Sequence, residues 1–284
     1  MQTKLIFFFG FISLLFLSPI VANSIYNVPK EEVVKEEQVN EKLVYAPKTD
    51  QESINLTEQT ESNSIDFKEQ TKLKKVLMLF THSHEAFIPI VKSENGEKAV
   101  YHPNSNISEF EEIIQTHFKL NSMDTNFLGV DTMDELKKTN RTFSEAYDVV
   151  RPFLSKEIKN NPYDLIVDLH RDSASREIST LTYNNQTYGK LYFVVGEEHP
   201  NFLINKSYAQ QISDELNKLI PGISRGVIGK KGEHVDGIYN QDLANNMVLI
   251  ELGGIENTQE EINRTISVLA KATSVVLQDS AYDK

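Results

Sequence analysis

His82 and Glu85 stand three residues apart in Thr81-His-Ser-His-Glu85, directly after the apolar run Val76-Leu-Met-Leu-Phe80. That spacing lets an imidazole nitrogen and a carboxylate converge on one ion as the chain leaves a strand. Two more apolar runs end in the same way. Asp164-Leu-Ile-Val-Asp-Leu169 runs into His170, Arg171 and Asp172, and Asn246-Met-Val-Leu-Ile250 runs into Glu251, Leu252 and the pair Gly253 and Gly254. A catalytic zinc takes three nitrogen or oxygen ligands and keeps one position for water, and two His with one Glu is one of its usual sets. It also needs a carboxylate outside that set to accept a proton from the water. His82, Glu85, His170 and Glu251 supply both. His84 is the rival ligand, because in a continuing strand it shares a face with His82. Glu85 is preferred, since Ala86-Phe-Ile-Pro89 reads as a chain that has already turned. A single His at a strand end is ordinarily structural; here the joint pattern points to a metal.

The elements that must carry these residues alternate. Strands are expected at 76–80, 126–130, 165–169 and 190–195 and before Glu251, with helices at 107–118, 144–158, 202–219 and 258–278 and a turn at Pro221-Gly222. Apolar runs bounded by polar residues read as strands buried on both faces, and alternation with helices predicts an α/β fold with a mostly parallel central sheet flanked by helices. Open sheets of that kind place their sites at the carboxyl ends of the strands. Thr258-Gln-Glu-Glu261 is a capping box that starts the last helix, and Ile262, Ile266, Leu269 and Val276 give that helix an apolar face.

Residues 1–22 hold one early positive charge and then an apolar run, which predicts a signal peptide or membrane anchor. Residues 23–72 are rich in Glu, Lys, Gln, Asn, Ser and Thr without a period, which predicts a flexible charged tether. Residues 73–284 are then one domain large enough for a full core. The formal net charge of -12 and the lack of a dense Lys/Arg patch argue against nucleic acid. With no Cys in the chain, disulfides, thiol nucleophiles and cysteine-ligated metals are excluded.

Six motifs run in order from about Leu73: Thr81-His82-Ser-His-Glu85-Ala-Phe87, Asp168-Leu-His170-Arg-Asp172, Phe193-Val-Val-Gly196, Pro221-Gly-Ile-Ser-Arg225, Tyr239-Asn-Gln-Asp-Leu243, and Glu251-Leu-Gly253 with Asn257-Thr258. On them the chain resembles the stage II sporulation protein P family of membrane-anchored peptidoglycan hydrolases. The resemblance implies an amidase or zinc-carboxypeptidase-like fold and a zinc-dependent N-acetylmuramoyl-L-alanine amidase that also cuts stem-peptide cross-links. It makes His82, Glu85 and His170 the Zn2+ ligands and Glu251 the general base. It further implies an extracytoplasmic place in a spore-forming bacterium, and stage II sporulation proteins D and M as partners. The chain departs from the family motif at Phe80, where a further His is usual, and at His84, where a small residue is usual. Arg225 either holds a stem-peptide carboxylate or pairs with a nearby acid. Asn240 and Gln241 bind glycan or peptide, or serve structure. Arg171 and Asp172 orient His170 or form an ion pair at the strand end, and backbone amides near Gly253 and Gly254 either meet an oxyanion or only make a tight turn. The other readings are a zinc carboxypeptidase acting on free peptide ends, a non-catalytic wall-binding module, and a phosphoesterase, for which more Asp ligands are expected.

Overall fold

The computed structural model describes residues 73–279. The expected leader at 1–22 and tether at 23–72 lie outside the described residues. In chain order the elements are β1 (Lys74–Leu79), α1 (Ile88–Asn95), α2 (Glu111–Leu120), β2 (Met123–Phe127), α3 (Thr132–Thr139), α4 (Ala146–Asn160), β3 (Leu165–Asp172), α5 (Arg176–Ser179), β4 (Thr180–Tyr183), β5 (Gln186–Gly189), β6 (Leu191–Gly196), α6 (Phe202–Leu219), β7 (Ser224–Lys230), β8 (Met247–Gly254) and α7 (Gln259–Asp279).

Six strands form one sheet in the order β2-β1-β3-β8-β6-β7. The first four run parallel, β6 pairs antiparallel with β8, and β7 follows β6 in parallel. The sheet is therefore mostly parallel between helices, as the alternation predicts, with two reversed strands. The reversal has a simple cause. A parallel neighbour needs a long crossover, and between β3 and β6 the chain makes only the one-turn α5 and the hairpin of β4 and β5. It therefore starts β6 at the end of the sheet where β3 stopped.

Alternation along the strands decides what each face can do. Val76, Met78, Leu165, Val167, Val248, Ile250 and Phe193 face the main core, where Ile114 and Phe118 of α2, Ile212 and Leu216 of α6, and Ile262 and Ile266 of α7 cover them. Leu77, Leu79, Ile166 and Met247 point the other way, against Val150 and Leu154 of α4. Parallel register puts Leu77 beside Ile166, Asp168 beside Leu249, and His170 beside Glu251. The two chemistry-bearing residues thus share the face that α4 covers, with Val150 and Leu154 over Leu77 and Ile166 and with Tyr147 beside His170. Among the described residues no helix is long and apolar enough to cross a membrane.

Candidate metal centre

Past Leu79 the chain turns at once, and the Glu85 amide donates to the His82 carbonyl at 3.0 Å. That turn swings both side chains toward β3. Glu85 Oε1 lies 3.4 Å from His82 Nδ1, and its Oε2 lies 3.7 Å from His170 Nδ1. The amide N–H of Arg171 donates to the same Oε2 at 2.7 Å and fixes the carboxylate. One nitrogen from each His and one Glu85 oxygen fall within 4.8 Å of each other, so the three residues could hold a single metal ion. His84 points elsewhere. Its Nε2 sits 2.9 Å from Asp131, which also accepts from Ser83 and from the Asp134 amide as the N-cap of α3.

The chemistry of the donors fits a divalent cation. Asp168 is wholly buried; it accepts from the Thr81 amide at 3.0 Å and the Thr81 hydroxyl at 2.7 Å, and faces His170 Nε2 at 3.1 Å. The Nε2 contact is short enough for an ion pair but misses hydrogen-bond alignment, so Nε2 has no well-aligned partner. A carboxylate behind one ring nitrogen leaves the other free for metal, which is the usual support of a ligating His. Burial pulls the His170 imidazole down, but Asp168, Glu85 and Glu251 outweigh it and raise its pKa to about 10. So dense a set of carboxylates demands a cation, and a divalent ion meets that demand as well as a proton does. Burial also pushes Glu85 up, yet its bond to His82, the charge on His170 and the Arg171 amide hold it below its ordinary value. Glu251 goes the other way. Burial, and after it the charges of Glu85 and Asp172, raise its carboxyl to about 7 against the opposing pull of His170 and Arg171.

His82, His170 and Glu251 floor a cleft of about 520 Å³ whose walls include Phe143, Tyr147, Lys230, His234 and Tyr239. Phe143 stacks on His82 at 4.3 Å between ring centroids, and Tyr147 packs against His82, His170 and Tyr239 at 5.7, 6.2 and 5.2 Å. Burial and the charges of Asp168 and Glu251 keep the Tyr147 hydroxyl protonated. Sequence reasoning assigned no role to Asp168 or Tyr147. Asp168 alternates in strand register with His170, which is a legible signal; Tyr147 belongs to α4, and only the packing of that helix brings it here.

Other candidates are engaged within the protein. Arg171 donates to the Val100 carbonyl at 2.6 Å, so its amide serves Glu85 while its side chain ties down a loop. Asp172 pairs with Arg225, whose guanidinium lies 4.4 Å from the Tyr192 ring. Asn240 gives its amide to the Tyr147 carbonyl and accepts from Arg151, both at 2.9 Å. Gln241 accepts from the Gly196 amide at 3.0 Å and donates to the Val194 carbonyl at 2.8 Å. Gly253, at φ 65, donates to Lys190, and Gly254 donates to Asn257. A Cβ on Gly253 would meet Ile262 at 2.4 Å, so close packing and left-handed backbone both call for glycine there.

Residues 17–274 match the family described as stage II sporulation protein P. The chain belongs to the stage II sporulation protein P family. It is 29% identical over 215 residues to the stage II sporulation protein P of Bacillus subtilis (strain 168), an alignment covering 75% of this chain and 54% of that protein. The chain therefore spans about half the length of the curated relative it matches. Among solved structures it is similar to the CwlD amidase from Clostridioides difficile in complex with the GerS lipoprotein, at 12% identity and TM-score 0.47 over 74% of this chain and 100% of that one. It is also similar to an N-acetylmuramoyl-L-alanine amidase from Clostridium difficile 630, at 13% identity and TM-score 0.43 over 75% and 100% of the two chains. A metallo-carboxypeptidase from Burkholderia cenocepacia gives 12% identity and TM-score 0.39, over 74% and 58%. Within the stage II sporulation protein P family motif as read above, His82, Glu85 and His170 are the residues that stand together here.

Proposed function

We propose that the chain is a zinc-dependent peptidoglycan hydrolase that cuts the amide between N-acetylmuramic acid and L-alanine, and stem-peptide cross-links, in sporulation. Membership of the family supports the peptidoglycan role. The observation that carries the chemistry is the cluster of His82, Glu85 and His170 with Glu251 in the next strand, its carboxyl raised to about 7. His82, Glu85 and His170 would hold the zinc. When bound, zinc lowers the pKa of a water and polarises the scissile carbonyl. Glu251 accepts the proton of the attacking water and returns it to the leaving amine. Tyr147, held protonated, has a hydroxyl to donate to charge developing in the cleft. Arg225 stands at the same end of the sheet as a partner for a stem-peptide carboxylate, in exchange with Asp172. The leader at 1–22 and the tether at 23–72 would hold the domain against the outer face of a membrane, where stage II sporulation proteins D and M are the proposed partners.

The test separates ligand from base. Glu251→Gln should keep zinc while losing about 10² to 10⁴ in muropeptide release from purified sacculi. Glu85→Gln should lose both, because a ligand substitution depletes metal. Elemental analysis beside mass spectrometry of the released muropeptides reads both arms and names the bond cut. Zinc loss in Glu251→Gln with retention in Glu85→Gln would reverse the two assignments.

A further inference from the structure

Beside the cleft lies a second hollow of about 390 Å³, lined by Tyr101, Met133, Leu136, Lys137, Arg141 and Phe143, and by His84, whose Nε2 is engaged with Asp131 at 2.9 Å. Its surface is largely apolar, and its volume is that of a small-molecule subsite. Two aromatic rings stand at its mouth. Tyr101 and Phe143 are 47% and 46% exposed, and their centroids lie 5.7 Å apart at 81°. Phe143 lines both hollows and stacks on His82, so its ring stands between the second hollow and the metal cluster. Its cations are already neutralised: Lys137 pairs with Asp134 at 2.7 Å, and Arg141 lies 3.8 Å from Glu145. The opposite end of the cleft differs. Lys230 faces it and has no ion pair among the described residues. Asp236, which also lines that end, has its Oδ1 taken up by the amides of Ile238 and Tyr239.

We propose that the substrate crosses the centre with a single polarity, its N-acetylated sugar ring in the hollow at Phe143 and Tyr101 and its acidic peptide toward Lys230. This rests on the peptidoglycan reading above. A pyranose presents a flat face of C–H groups and no charge, which suits exposed aromatic rings beside self-compensated cations. Its acetyl methyl suits Met133 and Leu136. The stem peptide carries free carboxylates, and the cation without a partner is the one at the far end of the cleft. The scissile amide, lying between sugar and peptide, then falls at the metal cluster.

The experiment uses the full chain in a Glu251→Gln background, titrated separately with the N-acetylglucosaminyl-N-acetylmuramic acid disaccharide and with a free stem tripeptide. Phe143→Ala should weaken the disaccharide by about three- to tenfold, the usual worth of one aromatic contact, and leave the tripeptide unchanged. Phe143→Tyr should restore the disaccharide, and Lys230→Glu should weaken the tripeptide alone. Zinc content is measured in each sample, because Phe143 touches a ligand. Met133→Gln, which lines the hollow away from His82, should repeat the disaccharide loss with zinc intact. Unchanged disaccharide affinity in both hollow variants, with muropeptides still released from sacculi by the unsubstituted chain, overturns the polarity alone. Weakening of the tripeptide by Phe143→Ala overturns it too. If the unsubstituted chain releases nothing, the hydrolase reading falls and takes the polarity with it.

Discussion

Between Thr81 and His170 lies a carboxylate that no solvent reaches and that no substrate would touch. Asp168 is gripped twice by Thr81, which directly precedes one candidate ligand, and it faces the far nitrogen of another. Replacing it with Asn keeps the shape and removes the charge. Zinc affinity of Asp168→Asn, measured by chelator competition, should fall about 10- to 100-fold, with Thr81→Val following in the same direction by less. Glu251 offers a second test. Its carboxyl titrates near 7 partly because Asp172 is close, so Asp172→Asn should move that titration to lower pH. Added zinc should move it lower again, because a nearby cation favours the ionised form. Isotope-edited NMR of the metal-free protein, followed by zinc titration, reads both shifts. From sequence, His82, Glu85, His170 and Glu251 were legible because each follows or ends an apolar run. For Asn240 and Gln241 the sequence leaves substrate binding and a structural role both open, because nothing in it tells where an amide finds its partners.

Elements were legible where one rule dominated. The helix expected at 202–219 is α6, and the capping box at Thr258 opens α7 as read. The Thr258 amide donates to Glu261 at 3.0 Å, and the Glu261 amide donates to the Thr258 hydroxyl at 3.3 Å. The strand expected near 126–130 forms earlier, as β2. Those expected to stop at Leu169 and Ile250 run on, so His170 and Glu251 lie inside strands whose polar ends the apolar rule cut off. Ala86-Phe-Ile-Pro89 reads as a chain that has already turned, and it has: the turn lies at 81–84, and Pro89 occupies the first turn of α1, where its missing N–H costs nothing. The hairpin of β4 and β5 went unseen, although Asn184 and Asn185 both take positive φ, as a two-residue turn requires. β7 and α3 were not expected either: β7 lies at a sheet edge and α3 is short, so neither needs a strong apolar pattern. The α7 cap also makes a prediction. Burial works against ionised Glu261, but hydrogen bonds from Arg176, Asn257 and the Thr258 amide depress its pKa from 4.5 to about 2. A carboxyl depressed on folding stabilises the protein above its unfolded pKa, and that contribution is lost as pH falls through the folded value. Arg176 is partly exposed and screened by solvent, so Glu261→Gln should cost about 2 kcal/mol at pH 7. The difference from the unsubstituted protein should shrink steadily below pH 4.5, which chemical denaturation across that range measures.

At the scale of the molecule, the described residues fall within one unit, Asp66–Lys284. Its core is formed by β1, β3, β6 and β8 between α2, α6 and α7 on one side and α4 on the other, all among the described residues. A chain starting at Leu73 should therefore unfold in a single cooperative transition and bind zinc as the full chain does. Circular dichroism with elemental analysis checks this, and a truncated chain without secondary structure would make the preceding segment part of the domain. The distance in sequence between the candidate ligands has a further consequence. His82 and His170 are separated by everything from α1 to α4, and they meet only when β1 and β3 have paired. No short stretch of nascent chain can carry the ion, in contrast to small domains that fold around their metal. Loading is then a late step, made from whatever pool surrounds the finished sheet. Under the proposed export of the chain before it folds, that pool would lie outside the cell, so scarcity of the proposed ion there would leave a well-folded population waiting, idle and intact.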